Sequence, residues 1–205
     1  NKMANPNPTT EIEAVNIMLA SIGEAPVSSI DDTALVDVSI AKSILDETNV
    51  SVQSTGIYSN TEFNYPIEAT TDGELLIPAN CVRIDTVGNS ATVDVVQRGS
   101  RLYDREKFAY NKFSGTYFVE MVLLLPFNDL PQHAKRYIVV KAARRFQARF
   151  MGSEALGGFT KDDEQEAMSY FTQCEAALED NNIYNDSYDM FKIVHRGAPR
   201  RAIRW

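Results

Sequence analysis

The sequence predicts an α+β fold: a four-helix bundle built from both ends of the chain, an inserted, mainly antiparallel β-sheet domain, and an extended C-terminal tail. Three observations carry this. Apolar residues recur at helical spacing near both ends, while the stretch between them breaks into short strand-like runs divided by turn residues. The last residues then reverse the charge of those before them. The boundaries that follow are 1–9 for a mobile arm, 10–56 and 131–181 for the bundle, 57–130 for the sheet domain and 182–205 for an interaction tail.

The arm, rich in Asn and Pro, has little to bury. Thr10 and Glu13 stand at capping-box spacing, so a first helix starts there, and Ile12, Val15, Leu19 and Ile22 form its apolar stripe. Gly23 and Pro26 end it. A second helix is expected from Asp31 or Asp32, either of which caps it. Its stripe is Val38, Ala41, Leu45, Thr48 and Val52, with Gly56 closing it. A short loop between the two makes an antiparallel hairpin.

Strand-like runs follow at 74–78, 81–87, 92–98, 101–103 and 116–125, with Asp72-Gly73, Gly88-Asn89 and Gly99-Ser100 as turns. Helical spacing returns after Pro131 in Ala134, Ile138, Ala142, Phe146 and Phe150. Thr160 caps a last helix expected to run to about Asn181, with Ala167, Phe171, Cys174 and Leu178 on its buried stripe. The segment from Asn181 to Asn185 is expected to break it.

Composition narrows function. The 205 residues carry 20 Lys and Arg against 28 Asp and Glu, a formal charge of −8, which disfavours gripping a duplex over the whole surface. No apolar run approaches the roughly 20 residues of a bilayer span. The first residues lack the apolar core of a secretory signal, and two cysteines make no disulfide framework, so a chain made in a reducing compartment is expected.

Candidate chemistry is sparse. His133 and His195 have no neighbouring His or Cys at metal-ligand spacing, and His133 reads as a surface residue in a first helical turn. Cys81 and Cys174 read as buried small hydrophobes. The motifs of serine hydrolases, P-loops and dinucleotide folds are absent, and Gly157-Gly158 is followed by acids that repel phosphate. A glycan-cleaving alternative pairs Asp104 with Glu106 or Asp85 with Asp94, but spacing along the chain does not give the distance that chemistry needs. No catalytic, cofactor-binding or metal-binding residue is therefore assigned.

Two basic features remain. Lys141, Arg144, Arg145 and Arg149 make a basic face on one helix, read either as facing nucleic acid or as paired with the acidic helix after it. Residues 154–191 hold one base, Lys161, whereas 192–205 carry Lys192, Arg196, Arg200, Arg201, Arg204 and the aromatic Trp205 without an acid. Such a segment reads as an interface that orders on a partner, with a disordered terminus, or a nucleic-acid-binding protein using this basic tail, as the alternatives.

Three motifs carry a resemblance. They are Ala14-Val-Asn-Ile-Met-Leu-Ala-Ser-Ile-Gly-Glu-Ala-Pro-Val-Ser-Ser29; Arg98-Gly-Ser-Arg-Leu-Tyr-Asp104; and Phe127-Asn-Asp-Leu-Pro131 with Tyr137-Ile-Val-Val-Lys-Ala-Ala-Arg-Arg-Phe146 and Arg149-Phe-Met-Gly152. In this order and spacing the sequence resembles the tail tubular protein A family of short-tailed phages, also called adaptors or gatekeepers. It departs in reading Gly56-Ile57-Tyr58 where the family often has Gly-Trp. The resemblance implies a structural virion protein, assembled in the host cytoplasm into a dodecameric ring. The ring would join the portal protein to the tail nozzle, tail tubular protein B. It also implies that double-stranded DNA passes through the ring unbound. Twelve copies at −8 would place roughly −100 charges around that conduit.

Overall fold

The computed structural model describes residues 8–30, 35–151 and 158–195, with 180–195 as backbone. Helices flank the strands in chain order: α1 (Glu11–Ala20), α2 (Val36–Gln53), β1 (Thr61–Glu68), β2 (Cys81–Thr86), β3 (Val95–Arg98), β4 (Arg101–Asp104), β5 (Thr116–Leu123), α3 (Gln132–Met151) and α4 (Lys161–His195). The mix of helix and antiparallel sheet agrees with the α+β expectation.

Helix starts follow from local chemistry. The Thr10 hydroxyl accepts the Glu13 N–H at 3.3 Å, and the Glu13 carboxylate accepts the Thr10 N–H at 2.8 Å. Thr160 and Asp163 repeat this reciprocal pair at α4, at 3.2 and 2.6 Å. Gly23, at φ +85°, ends α1 in a Schellman turn: its own N–H reaches Ala20 and the Glu24 N–H reaches Leu19.

The second helix starts later than expected. Leu35 is extended and precedes Val36 with no side-chain cap. Asp31 and Asp32 lie outside the described residues and stand too far upstream to cap it. The α1–α2 connection is correspondingly longer, and Asn16 pins it by bonding both the N–H (2.8 Å) and the carbonyl (3.0 Å) of Val27. The expected arm also stops short of Thr9, which exchanges two hydrogen bonds with Gln132 at 2.9 and 2.8 Å. Residues 1–7 lie outside the described region.

Strands β1, β5 and β2 form one antiparallel sheet in that order, and β3 and β4 form a hairpin. Arg98 pairs with Arg101, so Gly99-Ser100 is a two-residue turn, with Gly99 at φ +65°. Two expectations fail here. The run at 74–78 makes one bridge, Leu76 to Arg101, and no strand. Residues 92–94 belong to no strand, so β3 begins only at Val95. Strand β1 stands where no strand is expected. Asn64 sits at φ +53° in a bulge and Pro66 lies on an edge strand, so neither interrupts it.

Helices and strands keep separate apolar cores. The helical core draws Val15, Met18 and Leu19 from α1, Ala41 and Leu45 from α2, Ile138, Ala142 and Phe146 from α3, and Ala167 from α4. The sheet core centres on Leu75, Leu102, Val119 and Met121. Helix α3 contacts the other three helices.

The junction is polar and buried. Gln53 donates to the Leu125 carbonyl at 2.9 Å and accepts the Leu125 N–H at 2.8 Å, while Asn60 donates to the Gln53 carbonyl at 3.0 Å. Gly56, at φ +84°, lets α2 end against the sheet: a Cβ there would lie 2.9 Å from an Arg83 nitrogen and 3.3 Å from Val122. At the position where Gly-Trp would stand, Ile57 is buried instead.

The last helix departs most from expectation. It continues to His195 through Asn181–Asn185, because Asn lowers helix propensity by only about 0.7 kcal/mol per residue and no Gly or Pro follows until Gly197 and Pro199. Residues 182–195 are therefore helix, not extended tail. Its stripe is also shallower than predicted, with Ala167 buried, Phe171 and Cys174 half-buried and Leu178 exposed.

Candidate interaction surface

Where α3 and α4 run side by side, antiparallel, their facing residues set what each can offer a partner. His133 is not a surface residue: its Nε2 lies 2.6 Å from Oε1 of Glu175, both side chains being 13% exposed. The other Glu175 oxygen accepts the Tyr58 N–H at 2.6 Å. Phe171 stacks on Tyr137, with centroids 5.3 Å apart, and lies beside His133. One carboxylate thus ties α4 to α3 and to the turn that leads into the sheet. Nothing in the spacing of 58, 133 and 175 signals this, because the three meet only through the fold.

The basic face is divided among partners. Arg144 ion-pairs with Glu164 of α4. Arg145 reaches Glu47 of α2 at 2.6 Å and the Thr48 hydroxyl at 3.0 Å. Lys141 bonds the Tyr137 hydroxyl at 3.4 Å and lies 5.4 Å from its ring centre. Arg149 is exposed in the last turn of α3. These cations therefore do not form one continuous patch. Arg196, Arg200, Arg201, Arg204 and Trp205 lie outside the described residues.

The Arg98–Asp104 motif builds a surface ladder. Arg98 covers the Tyr103 ring at 3.8 Å, Tyr103 meets Tyr110 edge-on at 4.9 Å, and Arg101 lies 4.5 Å over Tyr110 while pairing with Glu74 at 2.5 Å. Asp104 is buried beneath it and accepts the N–H groups of Glu106 and Lys107 at 2.9 and 2.8 Å. Burial works to raise its pKa. The Lys107 and Glu106 N–H groups and the Lys107 ammonium more than offset this, holding the carboxyl below the usual carboxylate range.

That direction bears on the glycan-cleaving alternative. A general acid needs a raised pKa and an open face, and Asp104 has neither. Asp94 pairs with Arg105 at 3.6 Å and Asp85 accepts the Thr86 N–H, so these carboxylates also serve local structure. Burial pushes the Cys81 thiol up, away from nucleophilic use, and its sulfur bonds the Arg83 carbonyl. Among the described residues, no group of three or more His, Cys, Asp or Glu side chains is placed to hold a metal ion. No helix there is long and apolar enough to cross a membrane.

A family model described as tail tubular protein matches residues 12–180. Tail tubular protein A of Klebsiella phage KP34 is 30% identical over 129 residues, which cover 62% of this chain and 66% of that protein. The family match runs from α1 through the sheet and into α4, the elements that hold all three motifs. The chain belongs to the tail tubular protein family and is a structural component of a phage tail.

Proposed function

We propose that the chain is the adaptor subunit of the tail, forming a dodecameric ring between the portal protein and the nozzle protein, tail tubular protein B. Residues 10–56 and 131–181 act as one helical unit, and 57–130 as an inserted sheet unit. Double-stranded DNA passes through the ring without specific binding. The observation that carries this reading is the family match together with a charge of −8 on every chain. Like-charge repulsion along such a channel keeps a polyanion moving, and no catalytic step is required.

The same repulsion disfavours self-association without a template, so the free chain is a monomer that closes into a ring on the portal. Arg196, Arg200, Arg201, Arg204 and Trp205 supply the interface to the portal or the neighbouring subunit. The test is sedimentation of the full chain at low salt and micromolar concentration, alone and mixed with portal particles. A 22.9 kDa species alone and a stoichiometric complex with portal support the reading. A stable dodecamer of the isolated chain counts against staged assembly, and no complex with portal counts against the adaptor role.

A further inference from the structure

On the outer side of α1, a hollow of about 410 Å³ opens between Ile17, Ala20 and the start of α4, with Phe159 as its floor and Asp163 at its edge. It continues along α1 toward Asn16 and Glu13. Ile17 is 37% exposed here, an aliphatic side chain with water on one side. Two carboxylates, Glu13 and Asp163, stand at its ends, each bound through one oxygen in its own helix cap. One cation, Arg136, lies on the wall beyond Phe159. The site is apolar in the middle and acidic at the ends.

The chain contains a segment of the complementary kind. Arg200, Arg201 and Arg204 surround Ile203 and Trp205 with no acid among them. That segment cannot fill the hollow of its own molecule. Helix α4 is continuous to His195, so His195 lies about 48 Å along the axis from Asp163. Trp205 is ten residues further on, and ten fully extended residues span at most about 36 Å.

We infer that the hollow beside Ile17 and Phe159 receives the Arg200–Trp205 segment of a second copy of this chain. The contact is head-to-tail, the type that closes into a ring or propagates. Trp205 and Ile203 cover Ile17 and Phe159, and the arginines meet Glu13 and Asp163. The inference deepens the ring reading and rests on it for its role in the tail, while its test requires neither ring nor portal.

The test is titration of a fluorescein-labelled peptide of residues 190–205 into the full-length chain, followed by anisotropy. Saturable binding is expected, weakened tenfold or more by Trp205→Ala in the peptide and by Ile17→Arg in the protein. Raising salt from 0.05 to 0.5 M weakens it further. Ala20→Arg, at an exposed site, repeats the block should Ile17→Arg disturb the fold, and circular dichroism checks both variants. No saturable binding, or binding untouched by both variants, overturns the proposal. Occupation of the hollow by a peptide of residues 1–9 in place of the tail peptide also overturns it. Peptide binding with no portal complex in sedimentation would retire the adaptor reading and leave this contact standing.

Discussion

Gln53 pairs with Leu125 as one strand pairs with another. Its side-chain amide donates to the Leu125 carbonyl and accepts the Leu125 N–H, 72 residues away. The pair closes the backbone of the chain as it leaves β5 for α3, where no further strand is available. Gln53 is fully buried, so neither group has water as a substitute.

Replacing Gln53 with Leu fills similar volume and strands both Leu125 groups, while the Asn60 amide keeps its bond to the main-chain carbonyl of residue 53 and loses only the longer one, 3.3 Å, to the side-chain oxygen. The expected loss is about 3 kcal/mol, several times that of a surface change, since each buried unpaired group costs about 1–3 kcal/mol. Urea unfolding measures it. A shift equal to that of Ser43→Ala, at an exposed position on the same helix, would show that the pairing contributes little.

Glu175 offers a local readout. In Glu175→Gln an acceptor for the Tyr58 N–H remains; in Glu175→Ala none does. Exchange of the Tyr58 amide with deuterium is expected to quicken by tenfold or more in the Ala variant and by clearly less in the Gln variant. Equal rates in the two would assign protection of that amide to another contact.

Asp104 predicts a pH signature. Its folded-state pKa lies below the ordinary 3.8, so its stabilisation is present in full above about pH 4 and fades as pH falls through the folded-state value. Asp104→Asn is therefore expected to lower Tm by about 3 °C at pH 7, with the gap closing below pH 4. Thermal scans from pH 3 to pH 7 check this, and a constant gap would contradict it.

Two glycines with nearly the same φ separate strain from crowding. A methyl at Gly23 would meet nothing within 4 Å, while one at Gly56 would face Arg83 and Val122. Gly23→Ala is expected to cost about 1 kcal/mol from the left-handed backbone alone, and Gly56→Ala about 2–3 kcal/mol. Chemical denaturation of both variants decides it. Equal losses would mean that the junction yields to the methyl.

Local chemistry is what the sequence makes legible. Thr10 with Glu13 and Thr160 with Asp163 mark helix starts because each pair lies within one turn, and Gly23 marks an end because only a left-handed residue completes that turn. What escapes depends on position in three dimensions. Pro66 rules out a central strand but not an edge, and edge or centre is decided by β5, fifty residues later. His133 gives no hint of burial until α4 is laid across it. Asn181–Asn185 reads as a stop, although each residue's penalty is small beside the continuity of the helix. The sites inferred for assembly are least legible, since α1 shows its exposed Ile17 only once its other apolar residues are turned inward.

Helix α4 has a mechanical consequence. Glu175 ties it to α3, and the twenty residues from there to His195 continue the same helix for about 30 Å. A tilt of about 5° at Glu175 displaces the far end by roughly 3 Å, close to one residue of extended chain. The aim of the far end thus depends on how firmly Glu164, the Phe171–Tyr137 stack and Glu175 hold α4 against α3, and Glu175 passes part of any pull on that end to Tyr58 and His133, between helices and sheet.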